Sequence, residues 1–225
     1  MLVFFGIFIF MNNLPNQFFY SKKEDRLNVL SHSIGFILSI IGLIFLINKG
    51  LQNFTLTYFM SLLIYGLSLS TMYIASTLYH NSKTANSRYN LRMFDMISIY
   101  ILIAGSYTPF TLILLKDNQG WLLFSIIWSL AFFGIVWKVF TVGKYNLVTT
   151  SLYIFMGGLW LFFYESFVDQ IPSDALWWIT AGCLTYLAGV VFYLLDNKLK
   201  YNHFIWHLFV LAASGCHYIS IYFYI

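Results

Sequence analysis

Charge is what this sequence has least of. Only 9% of its 225 residues are Asp, Glu, Lys or Arg, against about 25% in an ordinary soluble domain. The polar stretches between apolar runs are all short, which leaves no room for a sizeable soluble domain. The formal net charge of +4 does not gather into a basic stripe, so a nucleic-acid partner is excluded. Cysteine is scarce as well. Cys183 and Cys216 both fall inside apolar runs and read as small packing hydrophobes rather than a disulfide or a metal pair. Internal repeats, low-complexity segments and internal domain boundaries are also lacking.

What is present in excess is apolar sequence, 60% hydrophobic and 21% aromatic. Crossing a bilayer takes about 20 mostly apolar residues, and seven such runs occur, at residues 28–47, 54–79, 93–115, 121–140, 145–164, 175–195 and 203–225. They are about twice as long as barrel strands and do not alternate, so helix is the spanning form. The expectation is an all-α membrane protein, a seven-transmembrane helix bundle over residues 28–225, behind an N-terminal segment of residues 1–27. Residues 1–11 are apolar but too short to span, and they lack the basic start of a signal peptide. They read as an interfacial anchor or, preferably, as sequence upstream of a start at Met11.

The basic residues set the orientation, because they are enriched on the cytoplasmic side. Lys22, Lys23 and Arg26 precede span one; Lys83, Arg88 and Arg92 lie between spans two and three; Lys138 and Lys144 flank the next such turn; Lys198 and Lys200 precede span seven. The alternate loops hold only Lys49 and Lys116, and after span five come Glu165, Asp169 and Asp174. This predicts a cytoplasmic N-terminus, an outside C-terminus and a multi-pass protein of the cell (inner or plasma) membrane.

With that topology His80, Asp95, His203 and His207 share one depth near the cytoplasmic face. His203 and His207 are four residues apart on one helical face, about 6 Å along the axis. Ionisable groups in lipid are costly unless paired, hydrated or metal-bound. Three imidazoles with one open position suit zinc in a catalytic site, where water is acidified towards neutrality. Asp95, the one carboxylate inside an apolar run, fits a general base. Ser76, four residues before His80, would hydrogen-bond the water or orient a ligand. Plainer readings stand beside these: histidines bonding neighbouring helices or sitting at the interface, Asp95 paired with Arg92 or Arg88, Ser76 packed between helices. His32 reads as a packing residue or an outer partner of the site. His217, about 21 Å beyond His203, belongs to a separate contact across the bundle.

These same residues carry a resemblance. Glu24-Asp25-Arg26-Leu27-Asn28 with Ser31-His32 and Gly35, Ser76-Thr77-Leu78-Tyr79-His80, Asp95 followed by Ala104-Gly105-Ser106-Tyr107-Thr108-Pro109-Phe110, and the run from His203 through His207 to His217 together resemble the hemolysin III family. That family is the bacterial branch of the progestin and adiponectin receptor superfamily, which is grouped with the alkaline ceramidases. The resemblance covers Glu24 to the C-terminal end. Ser31 stands where threonine is common and Asp25 where a second glutamate is usual; neither departure is expected to touch the metal ligands. The resemblance implies seven helices with a cytoplasmic N-terminus and zinc held by His80, His203 and His207. It also implies Asp95 and Ser76 as polar partners of the water at the ion. Relatives in the wider group hydrolyse lipid amides such as ceramide, while bacterial members look like regulators of membrane lipid composition.

Three functions follow as expectations. The first is a zinc-dependent hydrolase of membrane lipid amides, with membrane lipid as its partner. The second is a non-catalytic lipid sensor or regulator with structural zinc. The third, a cytolysin or pore, is weakest, because the polar cluster stays on one side and permeation paths carry polar groups through the midplane.

Overall fold

The computed structural model describes residues 20–53, 55–115, 118–196 and 198–225; residues 1–11, and with them the question of Met11, lie outside these. Seven helices are long and apolar enough to cross a membrane: α1 Lys22–Gln52, α2 Leu56–Asn81, α3 Ala85–Leu114, α4 Gln119–Phe140, α5 Asn146–Gln170, α6 Ser173–Leu194 and α7 Asn202–Tyr224. No strand occurs among the described residues. The expected seven-helix architecture is observed. The main differences in bounds are at the starts of α3 and α1, which begin eight and six residues before their apolar runs, so residues 85–92 and the polar residues 22–27 are helical.

α2 packs against α1 and α3, α3 against α4, and α7 against both α6 and α1. The most apolar stretch of α2 is 61% buried, whereas those of α5 and α6 are 22% buried, so the helix bearing His80 is the central one. Burial here inverts the soluble pattern. The inward stripe of α1 is Asn28, Ser31, His32, Gly35, Ser39, Gly42, Leu46 and Gly50, spaced at about one helical turn. Leu30, Ile34, Ile37, Leu38, Ile41 and Ile44 are exposed instead. Lipid is as apolar as leucine, so burying leucine between helices gains little, while small residues let backbones approach. At Gly35 a Cβ would come 2.5 Å from the Tyr73 ring, and at Gly105 it would come 2.2 Å from Ser68 Oγ. Gly105 is thus where α3 closes on α2, and the irregularity of α3 comes later, in a π-helical turn over Phe110–Leu114 after Pro109. Proline has no N–H to continue the ladder.

α5 is interrupted near its middle. Gly157-Gly158 is not a close-packing site, since a Cβ at Gly157 would meet nothing within 4 Å. Instead the helix stops at Gly157, tightens into a 3₁₀ turn over Leu159–Phe163 and resumes at Tyr164–Gln170. Backbone groups freed at membrane depth need partners inside the protein. Tyr107 supplies them: its hydroxyl lies 3.0 Å from the Met156 carbonyl oxygen and 2.9 Å from that of Gly157, and it accepts the Trp160 N–H at 3.2 Å.

The tightness at Gly105 is testable. Gly105→Val should destabilise the protein by about 1–3 kcal/mol, the usual cost of overpacking a tight interface. Gly157→Ala should leave thermal melting in detergent nearly unchanged.

Candidate metal centre

The end of the bundle where α1, α3 and α7 start and α2 and α6 finish is held by a polar network. Ser21 and Glu24 form a capping box at the start of α1, with Glu24 N–H bonding to Ser21 Oγ. Glu24 also accepts the Tyr201 N–H at 2.6 Å, which fastens the start of α7 to the start of α1. Asn202 Nδ2 donates to the Leu195 carbonyl at 2.9 Å and closes the turn from α6. Arg88 in the first turn of α3 donates to Asp25 at 2.7 Å and to the Ser82 carbonyl at 3.2 Å. Five helix termini are thereby fixed around one point.

At that point sit three of the five histidines. His80, His203 and His207 each offer a ligand atom within 4.8 Å of the other two. His80 and His203 oppose their Nε2 atoms at 3.2 Å, and the three ring centroids are 4.7–5.0 Å apart. The side chains are deeply buried, at 2%, 8% and 1% exposure. Such a cluster is close enough to hold one metal ion.

The far side of each ring makes the arrangement directional. His80 Nδ1 faces Asp25 Oδ1 at 3.2 Å, His203 Nδ1 faces Asp196 Oδ2 at 3.2 Å, and His207 Nδ1 faces Ser31 Oγ at 3.0 Å. A neutral imidazole that gives its Nδ1–H to an outer acceptor keeps the Nε2 lone pair for a metal, and such outer partners orient ligands and raise their basicity. Tyr20 completes the set, donating to Asp196 at 2.6 Å and lying 3.0 Å from His203 Nδ1. Burial alone would raise the Asp196 carboxyl, but hydrogen bonds from His203 and the Tyr20 hydroxyl bring it below the ordinary carboxylate value. Burial, with Tyr79 and Asp196 nearby, pushes the Tyr20 phenol well above its ordinary value, so it stays a donor.

The sequence reading missed these outer partners. Asp25 and Ser31 were expected to touch no metal ligand, yet each contacts one, because α1 lies between α2 and α7 and turns residues 25, 28 and 31–32 inward. Asp196 sat just past an apolar run. Its signal was its place seven residues before His203, across a short turn.

Ser76 lies beside Asp95, close enough to act on its carboxyl. Asp95 and His203 line one cleft of about 430 Å³, with Tyr20, Tyr79, Arg92 and Asp196 also on its wall. Asp95 does not pair with Arg88, which is committed to Asp25. His32 is buried against His207, with ring centroids 3.5 Å apart. His217 is apart from the cluster, across from α6, with its Nε2 4.0 Å from Cys183 Sγ and its ring 5.7 Å from Tyr186. Both cysteines are free.

The buried Arg88–Asp25 pair gives a test that does not involve metal. Arg88→Met should lower stability by about 3 kcal/mol, since it leaves a part-buried carboxylate without its cation. The double variant Arg88→Met/Asp25→Asn should recover part of that loss in detergent unfolding.

Residues 20–218 match the family model described as Haemolysin-III related. The chain is 37% identical over 203 residues to Hemolysin-3 of Bacillus cereus, covering 90% of this chain and 92% of that protein. It is 35% identical over 205 residues to the Hemolysin-3 homolog of Bacillus subtilis (strain 168), covering 91% and 96%. The human Monocyte to macrophage differentiation factor is 31% identical over 173 residues, covering 72% of this chain and 69% of that protein. With seven apolar helices and this match along nearly its whole length, the chain belongs to the haemolysin III family, multi-pass membrane proteins of the progestin and adiponectin receptor type.

Proposed function

We propose that the protein binds zinc through His80, His203 and His207 and hydrolyses a membrane lipid amide, as the ceramidase-like relatives do, in the control of membrane lipid composition. The observation that carries this reading is the orientation of the three imidazoles. Each Nδ1 is taken by an outer acceptor, and the remaining nitrogens converge. An all-nitrogen set of three suits zinc with a position left open. When bound there, zinc supplies Lewis acidity that polarises a carbonyl and acidifies water.

The chain's own residues do the rest. Asp95, on the wall of the cleft beside His203, accepts the proton of the attacking water. Ser76, beside Asp95, is placed to donate to it and so to direct its free lone pairs. Asp25, Asp196 and Ser31 hold the ligand rings in one tautomer. The cleft opens at the end carrying Lys22, Lys23, Arg26, Lys198 and Lys200, which by the bias of basic residues is the cytoplasmic one. A scissile carbonyl there lies at headgroup depth with its acyl chain free to reach the apolar layer. In this reading the N-terminus is cytoplasmic, the C-terminus is outside and the bilayer is that of the cell membrane.

Two measurements test it. Metal analysis of detergent-purified protein should find zinc near one per chain, falling sharply in His203→Ala and His207→Ala; wild type without metal would overturn the proposal. Turnover of lipid amides should drop about 10²–10⁴-fold in Asp95→Ala, as for loss of a general base, while zinc content stays unchanged. Full activity in that variant removes Asp95 from the reaction. Stoichiometric zinc with no turnover on any lipid would instead favour a non-catalytic lipid sensor.

A further inference from the structure

His32 was expected as a packing or interface residue or as an outer partner of the site. It is 3% exposed, and neither Nδ1 nor Nε2 has a hydrogen-bond partner among the described residues. What the ring presents to its neighbours is its flat face. It lies on His207 with centroids 3.5 Å apart and planes within 10°. Its other contact is the edge of Tyr73, at 5.2 Å and 86°. Tyr73 is itself wedged against Gly35, where a Cβ would come within 2.5 Å of the ring. Tyr73 therefore backs His32, and His32 backs His207.

A histidine ligand has two orientational freedoms. Its outer hydrogen bond, here Ser31 Oγ on Nδ1, fixes one point of the ring but leaves rotation about the axis through that point. A parallel ring stacked on its face removes that rotation. His80 and His203 each have a carboxylate on Nδ1, whereas His207 has only neutral partners, the Ser31 hydroxyl and the Asn28 backbone, so it is the one of the three without a charged group to hold it. The geometry points to His32 as a positioning residue of the metal centre, setting the plane of His207 through its stacked face. This inference rests on the three-histidine metal reading above and extends it to a fourth histidine that binds no metal.

The test separates the face from the ring nitrogens. His32→Phe keeps a flat ring and removes both nitrogens. His32→Leu fills similar space without a face, and His32→Ala removes both. Zinc affinity is measured on full-length protein in detergent by competition with a chromophoric chelator, and coordination geometry from the visible spectrum of the cobalt(II) form. Helical content and melting temperature report folding. The leucine and alanine variants should lose about tenfold or more in affinity, the scale of other outer-contact losses, with an altered cobalt spectrum. The phenylalanine variant should stay within about threefold of wild type and keep the spectrum. Wild-type affinity in His32→Leu overturns the proposal. So does equal loss in His32→Phe and His32→Leu, which would assign the role to the ring nitrogens. No metal bound by wild type would instead sink the metal reading on which it rests.

Discussion

Everything at the polar end of this bundle depends on one constraint: a buried imidazole has two nitrogens to satisfy and no bulk water to do it. An unpartnered polar group in apolar surroundings costs several kcal/mol on the harsher transfer scales. Three imidazoles with both nitrogens unanswered would outweigh much of a small protein's stability. The fold answers one nitrogen of each ring with Asp25, Asp196 and Ser31. The three rings also bring a ligand atom each within 4.8 Å of one another, close enough for a single ion to answer them at once. The outer acceptors bring their own requirement, since buried carboxylates need partners as well. Arg88 meets that need at Asp25 and Tyr20 meets it at Asp196. The network grows outward until it reaches Glu24, Tyr201 and solvent.

Much of this was legible in the sequence, and the physical reason is the bilayer itself. A run such as residues 175–195 has one stable spanning form, and the observed helix Ser173–Leu194 follows it closely. The alternation of basic and acidic loops places His80, Asp95 and His203 at one end before any packing is known. Two of the ligands, His203 and His207, share a helix face by spacing alone. Lateral meeting is different. Nothing in the spacing of α2 and α7 says that these non-sequential helices come together, and only the polar stripe of α1 between them makes it so.

What remained illegible was set by packing rather than period. Asp25 stood in the polar segment ahead of the first apolar run, marked only as a departure from a usual glutamate. Its work on His80 appears only once α1 lies along α2. Arg88 looked like one of several topology-setting cations, although it is buried and bridges three elements. The break in α5 is hidden for the same reason. Gly157-Gly158 signals close approach as readily as it signals a stop, and the deciding residue, Tyr107, is on another helix.

The outer contacts also single out one helix. α1, or the two residues before it, touches all three histidines: Tyr20 at His203, Asp25 at His80, Ser31 and His32 at His207. The apolar face of α1 is the exposed one. Under the proposed function, catalysis and lipid sensing are therefore not opposed, because the helix whose outer face meets the bilayer is the one that orients the three histidines, and any coupling between the two would be reciprocal.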